Sequence, residues 1–331
     1  MKFVYFGSSY FSRIVLDSLI ESGKIPSLVV TVSDKPSGRG LKVRATPVKV
    51  LAKEKGIEVL TPSSLSDKPF IERLASVSSE VFVVVSYGRI IPRNVLDIAR
   101  TIPVAVHPSL LPLYRGAAPV NWAIINGDSK TGTSIIRVSE KVDAGDIIAQ
   151  KPLRISSSDD AVILSNKLAR LSASVLLDTL NSIEKGKYTL TPQDESKVTF
   201  APKIKKEDGR ILWEKDTSSI RNLVRGLLPW PEAFTFYKGK IIKILKVEVY
   251  DEKTSGRQSN QKVSTRRVDK VHDEFIERKP SVIVKIDKEG IHVVAGDGIV
   301  IIKRVKPEGK KEMDAYAFSC GHNINPGETF G

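Results

Sequence analysis

Short apolar runs alternate with amphipathic stretches over the first half of the chain. Four runs rich in Val, Ile and Phe cover residues 2–7, 27–33, 80–88 and 102–107. Continuous apolar runs of this length are typical of strands buried on both faces. The stretches between them space apolar residues three and four apart, as amphipathic helices do. This alternation predicts a Rossmann-like α/β domain, with a mainly parallel sheet and helices on both faces.

The pattern changes after a long amphipathic stretch at 157–188. Residues 189–203 are polar, contain prolines and lack periodicity, so we expect a linker there. Beyond it, apolar and polar positions alternate between Lys-Gly, Glu-Gly and Asp-Gly turns, which predicts a small antiparallel β-barrel or sandwich. A charged stretch at 251–279 indicates a long loop. The expected domains are therefore 1–188 and 204–331.

Composition narrows the classes of protein that remain. A length of 331 residues favours two domains, and the 41% of hydrophobic residues suffices for packed cores. The single cysteine, Cys320, excludes an internal disulfide and cysteine-rich metal sites and favours a reducing cytoplasm. No apolar run reaches the roughly 18 residues that cross a bilayer.

The net charge of +14 (52 basic minus 38 acidic residues) bears on partners. A basic surface attracts polyanions, so nucleic acid is the leading partner class. A surplus of lysine that merely keeps the protein in solution explains the charge equally well. Gly7 lacks the G-x-G-x-x-G spacing, so a nicotinamide cofactor is not supported.

Two short motifs carry candidate chemistry. In HPSLLP, His107 ends an apolar run, and the flanking prolines fix a loop that can present amides and Ser109 to a planar ligand. In VDAGDII, Asp143 can orient a histidine and relay a proton. Each motif also has a purely structural explanation, a core histidine in the first case and an Asx-type turn in the second.

A basic loop at 33–49 follows the second apolar run. It contains Arg39 between two glycines, together with Lys42. Glycines allow close approach of a partner, and an arginine suits a phosphate or a base edge. A solvated basic loop is the alternative.

Together these motifs resemble the methionyl-tRNA formyltransferase family over essentially the whole chain. The resemblance rests on YFGSSYFS, DKPSGRG, VVVSYGRIIP, HPSLLPLYRGAAPVNWAIINGD, VDAGDII, LLPWPEAF and GDGIVIIKRVKPEGKKEM. It implies that the amino group of methionyl-tRNA attacks the formyl carbon of 10-formyltetrahydrofolate, releasing tetrahydrofolate without a metal. It also implies a C-terminal OB-like β-barrel on the tRNA. We expect a cytoplasmic monomer with no membrane attachment.

The resemblance assigns roles by position. His107 and Asp143 match the catalytic histidine and aspartate. The positions that match the folate-binding segments are Ser109, Leu110, Leu111, Pro112, Tyr87, Gly88 and Ile90. The positions expected at the tRNA are Arg39, Lys42, Lys203, Lys205 and Lys206.

Ala105 departs from the family pattern, which has asparagine two residues before the catalytic histidine. A methyl group cannot donate to an oxyanion, and loss of one such donor lowers a rate by ~10²–10³-fold. The alanine is a lesion in an otherwise ordinary enzyme, is compensated by another donor, or marks a protein that no longer catalyses. One alternative function is therefore an inactive tRNA- or folate-binding homologue. A second alternative is an amino-sugar-nucleotide formyltransferase, because YRGAAPVNWAIINGD is also similar to that branch of the superfamily.

Overall fold

The computed structural model of the chain describes residues 1–37, 42–250 and 279–331. The chain divides into two compact units. The first comprises Met1–Val120, Ser129–Ser158 and Val162–Lys203, and the second comprises Asn121–Asp128, Asp159–Ala161 and Ile204–Gly331. Within the described ranges, no helix combines the length and the apolar character that crossing a membrane requires.

Within the described residues, the strands of the first unit are two to eight residues long. In chain order they are β1 (Phe3–Gly7), β2 (Leu28–Val30), β3 (Lys35–Ser37), β4 (Lys42–Arg44), β5 (Val59–Leu60), β6 (Val81–Val85), β7 (Ile102–His107), β8 (Arg115–Gly116), β9 (Lys130–Arg137), β10 (Ile147–Arg154) and β11 (Phe200–Ala201).

Seven of these strands form one sheet in the order β10-β9-β7-β6-β1-β2-β5. The neighbours from β7 to β5 are parallel, whereas β9 and β10 are antiparallel to their neighbours. The prediction of a mainly parallel sheet is therefore confirmed. From β1 the chain first builds outward to β2 and β5 and then returns to β6 and β7. The topological switch point therefore lies between the neighbouring strands β1 and β6, and open α/β sheets bind ligands at the carboxyl ends of the strands at such a point.

Helices cover both faces of this sheet. Before residue 188 the helices of the chain are α1 (Tyr10–Glu21), α2 (Pro47–Glu54), α3 (Lys68–Ser76), α4 (Arg93–Leu96), α5 (Pro119–Ile125) and α6 (Ala161–Glu184), of which α5 falls mostly in the second unit. The Tyr5 hydroxyl donates to the Ser12 carbonyl of α1, so odd positions of β1 face that helix. Val4 and Phe6 point to the other face and pack with Phe70 of α3.

The second unit is built on an antiparallel sheet. Its strands are β12 (Ala233–Tyr237), β13 (Lys240–Val249), β14 (Ile283–Asp287), β15 (Gly290–Val294), β16 (Ile299–Pro307) and β17 (Met313–Asp314), with helices α7 (Thr217–Gly226) and α8 (Ala315–His322). The order is β12-β13-β16-β15-β14, and β17 pairs with β16. Residues 251–278 of the predicted charged loop lie outside the described residues.

The last residues of the chain bond to residues at both edges of this sheet, next to β14 and in β12. The Phe330 amide donates to the carbonyl of Ser281, just before β14, and the Gly331 amide donates to the carbonyl of Phe236 in β12, both at 3.0 Å. The Phe330 ring is 1% exposed and stacks on Trp213 with a centroid distance of 6.0 Å. This closure agrees with the predicted OB-like barrel.

The segment predicted as a linker, 189–203, is part of the first unit. Thr191 forms an isolated bridge with Ile147, and β11 pairs in parallel with β8. The sequence pattern could not reveal these contacts, because β11 is only two residues long and its partner lies 85 residues earlier.

Candidate active site

His107 is the last residue of β7, at the carboxyl end of the parallel sheet. Successive residues of a strand point to opposite faces, so Pro103, Ala105 and His107 share one face of β7. His107 is only 4% exposed, and its register partner on β9 is Ser134. The sheet therefore places this histidine, largely buried, at the edge where ligands bind in such folds.

The imidazole ring of His107 has an oxygen near each nitrogen. Nε2 lies 2.9 Å from the backbone oxygen of Tyr114. Nδ1 lies 3.4 Å from Oδ2 of Asp143, which is longer than a typical hydrogen bond. Because both oxygens are acceptors, a neutral ring donates to one of them and a protonated ring donates to both. The structure thus brings the two predicted catalytic residues together.

Asp143 lies in the turn between β9 and β10, in the left-handed conformation with φ of 54°. Aspartate tolerates this conformation better than most residues do. Its Oδ2 accepts a 2.9 Å hydrogen bond from the Gly116 amide. Gly116 has a φ of 124°, and a Cβ there would lie 2.6 Å from the Ala201 carbonyl oxygen. Only glycine therefore fits the position that donates to the aspartate.

The first half of the HPSLLP loop is hydrogen-bonded within the protein. Ser109 is fully buried, and its hydroxyl donates to the Leu113 carbonyl at 2.6 Å. The Ser134 hydroxyl donates to the Ser109 carbonyl at 2.7 Å and accepts from the Leu111 amide at 3.1 Å. The Ser109 hydroxyl and the Leu111 amide are thus engaged by the chain itself, in contrast to the expectation that the loop presents them to a ligand.

The second half of the loop is more accessible. The peptide bond between Leu111 and Pro112 is cis, and the Leu111 carbonyl accepts from Gln150 at 2.8 Å. Leu110 packs over Gly132, where a Cβ would lie 2.4 Å from its Cδ2 atom. Leu110 and Pro112 are both partly exposed, which makes them the candidates of this loop for direct ligand contact.

The SYGRII segment follows β6 at the switch point. The Tyr87 ring is buried and packs edge-on against Phe6, and burial raises the pKa of its hydroxyl. The Tyr87 carbonyl accepts from the Ser8 hydroxyl at 3.1 Å. Gly88 has a φ of 81° and is exposed, and Ile90 is 78% exposed. Tyr87 therefore belongs to the core, whereas Gly88 and Ile90 lie at the surface, just after β6.

Apart from His107, the side chains beside Ala105 on its sheet face have no hydrogen-bond donors. Its register partners are Val84 on β6 and Ile136 on β9. Along β7 the neighbours on the same face are Pro103 and His107. His107 is the only one of these four side chains that carries an N–H group. The neighbouring positions on the sheet therefore offer no replacement for an asparagine amide.

A cavity of about 640 Å³ lies beside the turn that bears Asp143. Pro103 of β7, Leu96 of α4, and Val138 and Ala144 of the turn contribute to its lining. Its lining carries charges of both signs, with Arg93, Arg137 and Lys141 balanced by Asp97, Glu140 and Glu195. The volume lies within the range typical of small-molecule sites.

The structure describes four of the five residues that we expect to contact the tRNA. Arg39 lies outside the described residues, and Lys42 begins β4. Lys203, Lys205 and Lys206 are exposed. Among the described residues, no group of three or more His, Cys, Asp or Glu side chains is arranged to hold a metal ion.

Two residues next to the site carried no signal in the sequence. Arg115 is 6% exposed and bonds to Gln193 and Glu195. Gln193 in turn donates to the turn of Asp143. Neither stands in a periodic pattern, and their contacts join segments about 80 residues apart, which no local pattern can reveal.

Two family models define the class of protein to which the chain belongs. The first 180 residues match the family described as "Formyl transferase". Residues 203–323 match "Formyl transferase, C-terminal domain".

Curated relatives identify the family within this class. The chain is 38% identical over 328 residues to a methionyl-tRNA formyltransferase of Caldanaerobacter subterraneus, covering 99% of both chains. It is also 38% identical over 331 residues to that of Acetivibrio thermocellus, covering both chains completely. The chain therefore belongs to the methionyl-tRNA formyltransferase family.

Solved structures share the fold at lower identity. The sugar 3N-formyl transferase WlaRD aligns with a TM-score of 0.63 and 17% identity over 94% of this chain and 99% of its own. HypX from Aquifex aeolicus in complex with tetrahydrofolic acid aligns with a TM-score of 0.59 and 19% identity, over 96% of this chain but 46% of its own. These likenesses concern the fold alone.

Proposed function

We propose that this chain transfers the formyl group of 10-formyltetrahydrofolate to the amino group of methionyl-tRNA, and that it does so slowly for its family. The observation that carries the proposal is the pairing of His107 with Asp143 at the carboxyl edge of the sheet. The slow rate is inferred from Ala105 on the same face of β7.

The reaction exchanges one C–N bond for another. The neutral amino group of the methionyl ester attacks the formyl carbon, and a tetrahedral intermediate with an oxyanion forms. The bond from that carbon to N10 of the folate then breaks. The attacking nitrogen loses a proton, N10 gains one, and tetrahydrofolate leaves. The site must therefore handle a proton and stabilise the oxyanion.

His107 supplies the proton handling in this proposal. Asp143 orients the ring, because its carboxylate faces Nδ1 at 3.4 Å. The present contact of Nε2 with the Tyr114 carbonyl would be exchanged for one with the substrates. Hydrogen bonds of catalytic groups often lengthen or change partner in the absence of substrate.

The cavity beside Asp143 is our candidate for the pterin ring. Its apolar walls at Leu96 and Pro103 suit a flat ring, and residues 138–141 and Ala144 of the turn line the cavity as well. Gly88, Ile90, Leu110 and Pro112 are then contacts for the rest of the folate. Ser109, Tyr87 and Leu111 support this site from the core, since all three are buried.

We assign the acceptor end of the tRNA to Arg39 and Lys42, and its phosphates to Lys203, Lys205 and Lys206. The charge of +14 supports a polyanionic partner. We also keep the predictions of a monomer and of a cytoplasmic location. Light scattering on the full chain checks the first, and the single cysteine is compatible with the second.

Formyl-transfer assays of the chain and its Ala105→Asn variant test the proposal. We expect asparagine to raise kcat by ~10²–10³-fold, because it restores a donor to the oxyanion. Ala105→Leu is the control, since the leucine side chain branches at Cγ as that of asparagine does but donates nothing. If the chain as it stands already matches the rates of its relatives and asparagine adds nothing, the assignment of the missing donor is wrong.

The same assays separate the alternative functions. Competition between methionyl-tRNA and an amino-sugar nucleotide distinguishes the two acceptors. If neither acceptor is formylated even by the Ala105→Asn variant, while tRNA binds in a strongly salt-dependent manner, the chain is an inactive binding homologue.

A further inference from the structure

Gln193 bonds to the turn that carries Asp143. Its Nε2 donates to the Asp143 carbonyl at 2.8 Å and to the Gly145 carbonyl at 2.7 Å. These two hydrogen bonds fix the backbone on both sides of Ala144. Since Asp143 has a left-handed backbone, an unsupported turn has ready access to other conformations.

The other end of the Gln193 amide meets Arg115. Its Oε1 accepts from Nη2 of Arg115 at 2.8 Å and from Nε at 3.1 Å. The amide thus uses two donors and both acceptor sites, its full capacity. The guanidinium also fixes the orientation of the amide, because a rotated amide would place its NH₂ group against the N–H groups of the arginine.

The contacts form a closed ring through the site. Arg115 and Gly116 are consecutive residues of β8, and the Gly116 amide donates to the Asp143 carboxylate. Gln193 therefore holds the Asp143 backbone while Gly116 holds its side chain, and both depend on the same two-residue strand. Arg115 is largely buried, so the base of this ring has little freedom.

We infer that Gln193 is a positioning residue that sets the distance from the Asp143 carboxylate to His107, an inference that rests on the catalytic role proposed above for Asp143. Gln193 does not reach the histidine itself. It acts through the two carbonyls of the turn. Loss of its donors lets the turn relax, and small displacements of a catalytic group can lower a rate by up to about 10²-fold.

Single-turnover formylation of methionyl-tRNA by the full chain tests this inference. We expect Gln193→Ala to lower the rate constant by about 10- to 100-fold with little change in the half-saturating concentration of either substrate. Gln193→Glu keeps the size of the side chain but has no donors, so it should be equally slow. Asp194→Asn is the control from the same segment, since Asp194 contacts Ser196 and Lys197 but not the turn.

A double-mutant cycle separates positioning from a general structural role. If Gln193 acts through Asp143, the variant with both Gln193→Ala and Asp143→Asn is no slower than Asp143→Asn alone. Multiplicative effects, or a normal rate for Gln193→Ala, overturn the inference while leaving the proposed function intact. A normal rate for Asp143→Asn instead overturns the proposed role of Asp143, and the inference with it.

Discussion

At the residue scale, the role of each side chain in the site is determined by the groups that it contacts. Composition and spacing allowed His107 to be either a core histidine or a catalytic one, and the resemblance favoured the catalytic role. The structure adds that Asp143 faces its Nδ1 atom. Ser109 shows the limit of such reasoning: its position matches a folate-binding loop, yet its hydroxyl bonds to Leu113. The direction of a hydroxyl depends on tertiary contacts that no local pattern contains.

A glycine substitution tests the hydrogen bond to Asp143. We expect Gly116→Ala to lower the free energy of unfolding by about 1–3 kcal/mol, because alanine is strained at a φ of 124° and its Cβ meets the Ala201 carbonyl. Formyl transfer by the folded fraction should also fall. Denaturant unfolding and the transfer assay measure the two effects.

Gly186→Ala is the control for this substitution. Gly186 also has a positive φ, of 66°, but a Cβ there meets nothing within 4 Å. It should lose some stability from its backbone and none of its activity. Equal activity losses in both variants would contradict a specific role for Gly116.

At the element scale, the buried strands and long helices were predictable, because their apolar periodicity is set by burial along the element itself. The short elements were not. Both β8 and β11 contain two residues and exist through mutual pairing. The segment at 189–203 therefore had the composition of a linker, although it adds a strand and Gln193 to the site.

Glu232 provides a pH-dependent test in the second unit. It precedes β12, and its carboxylate accepts from Lys243 of β13 and from Lys306 of β16. Burial raises its pKa, but the two lysine hydrogen bonds outweigh burial and hold the pKa below its usual value. The stabilisation is therefore present above the pKa of the unfolded state, about 4.3, and is lost as the pH falls through the lower folded value.

We expect Glu232→Gln to lower the free energy of unfolding by about 1–2 kcal/mol at pH 7. The difference from the parent chain should shrink below about pH 4, where the parent carboxylate becomes protonated. Thermal unfolding across this range measures both. Glu312→Gln, in an exposed pair with Arg304, should change little at any pH. A difference that is constant with pH would exclude the carboxylate charge as the cause.

At the scale of the whole molecule, the sequence predicted two domains and an excess of positive charge. The number of domains and the net charge depend on the whole chain, so an error in the prediction of one element does not change them. The path of the chain between the units escaped prediction, because residues 121–128 and 159–161 group with the second unit by contacts rather than by sequence position.

The positive charge predicts how tRNA binding depends on salt. We expect the affinity to fall steeply with salt concentration, since each phosphate contact releases counterions. Replacing Lys203, Lys205 and Lys206 by alanine should reduce the slope of log affinity against log salt by about 2–3, if each contacts a phosphate. Filter binding or fluorescence anisotropy over a salt series measures this slope.

A triple replacement of Lys167, Lys185 and Lys187 removes the same charge from α6 and the residues after it. It should leave the slope nearly unchanged, because these exposed lysines are not assigned to the tRNA. Equal reductions in both triple variants would indicate that net charge alone governs binding.

The pairing of β11 with β8 bears on how members of this family can be recombined. A chimera that joins the first unit of one enzyme to the second unit of another has an apparent crossover point near residue 189, where the sequence turns polar. Such a crossover would import the glutamine and strand of a foreign parent into the catalytic half. A crossover after Lys203 transfers the first unit whole, with the hydrogen bonds around its aspartate still made by residues that evolved together.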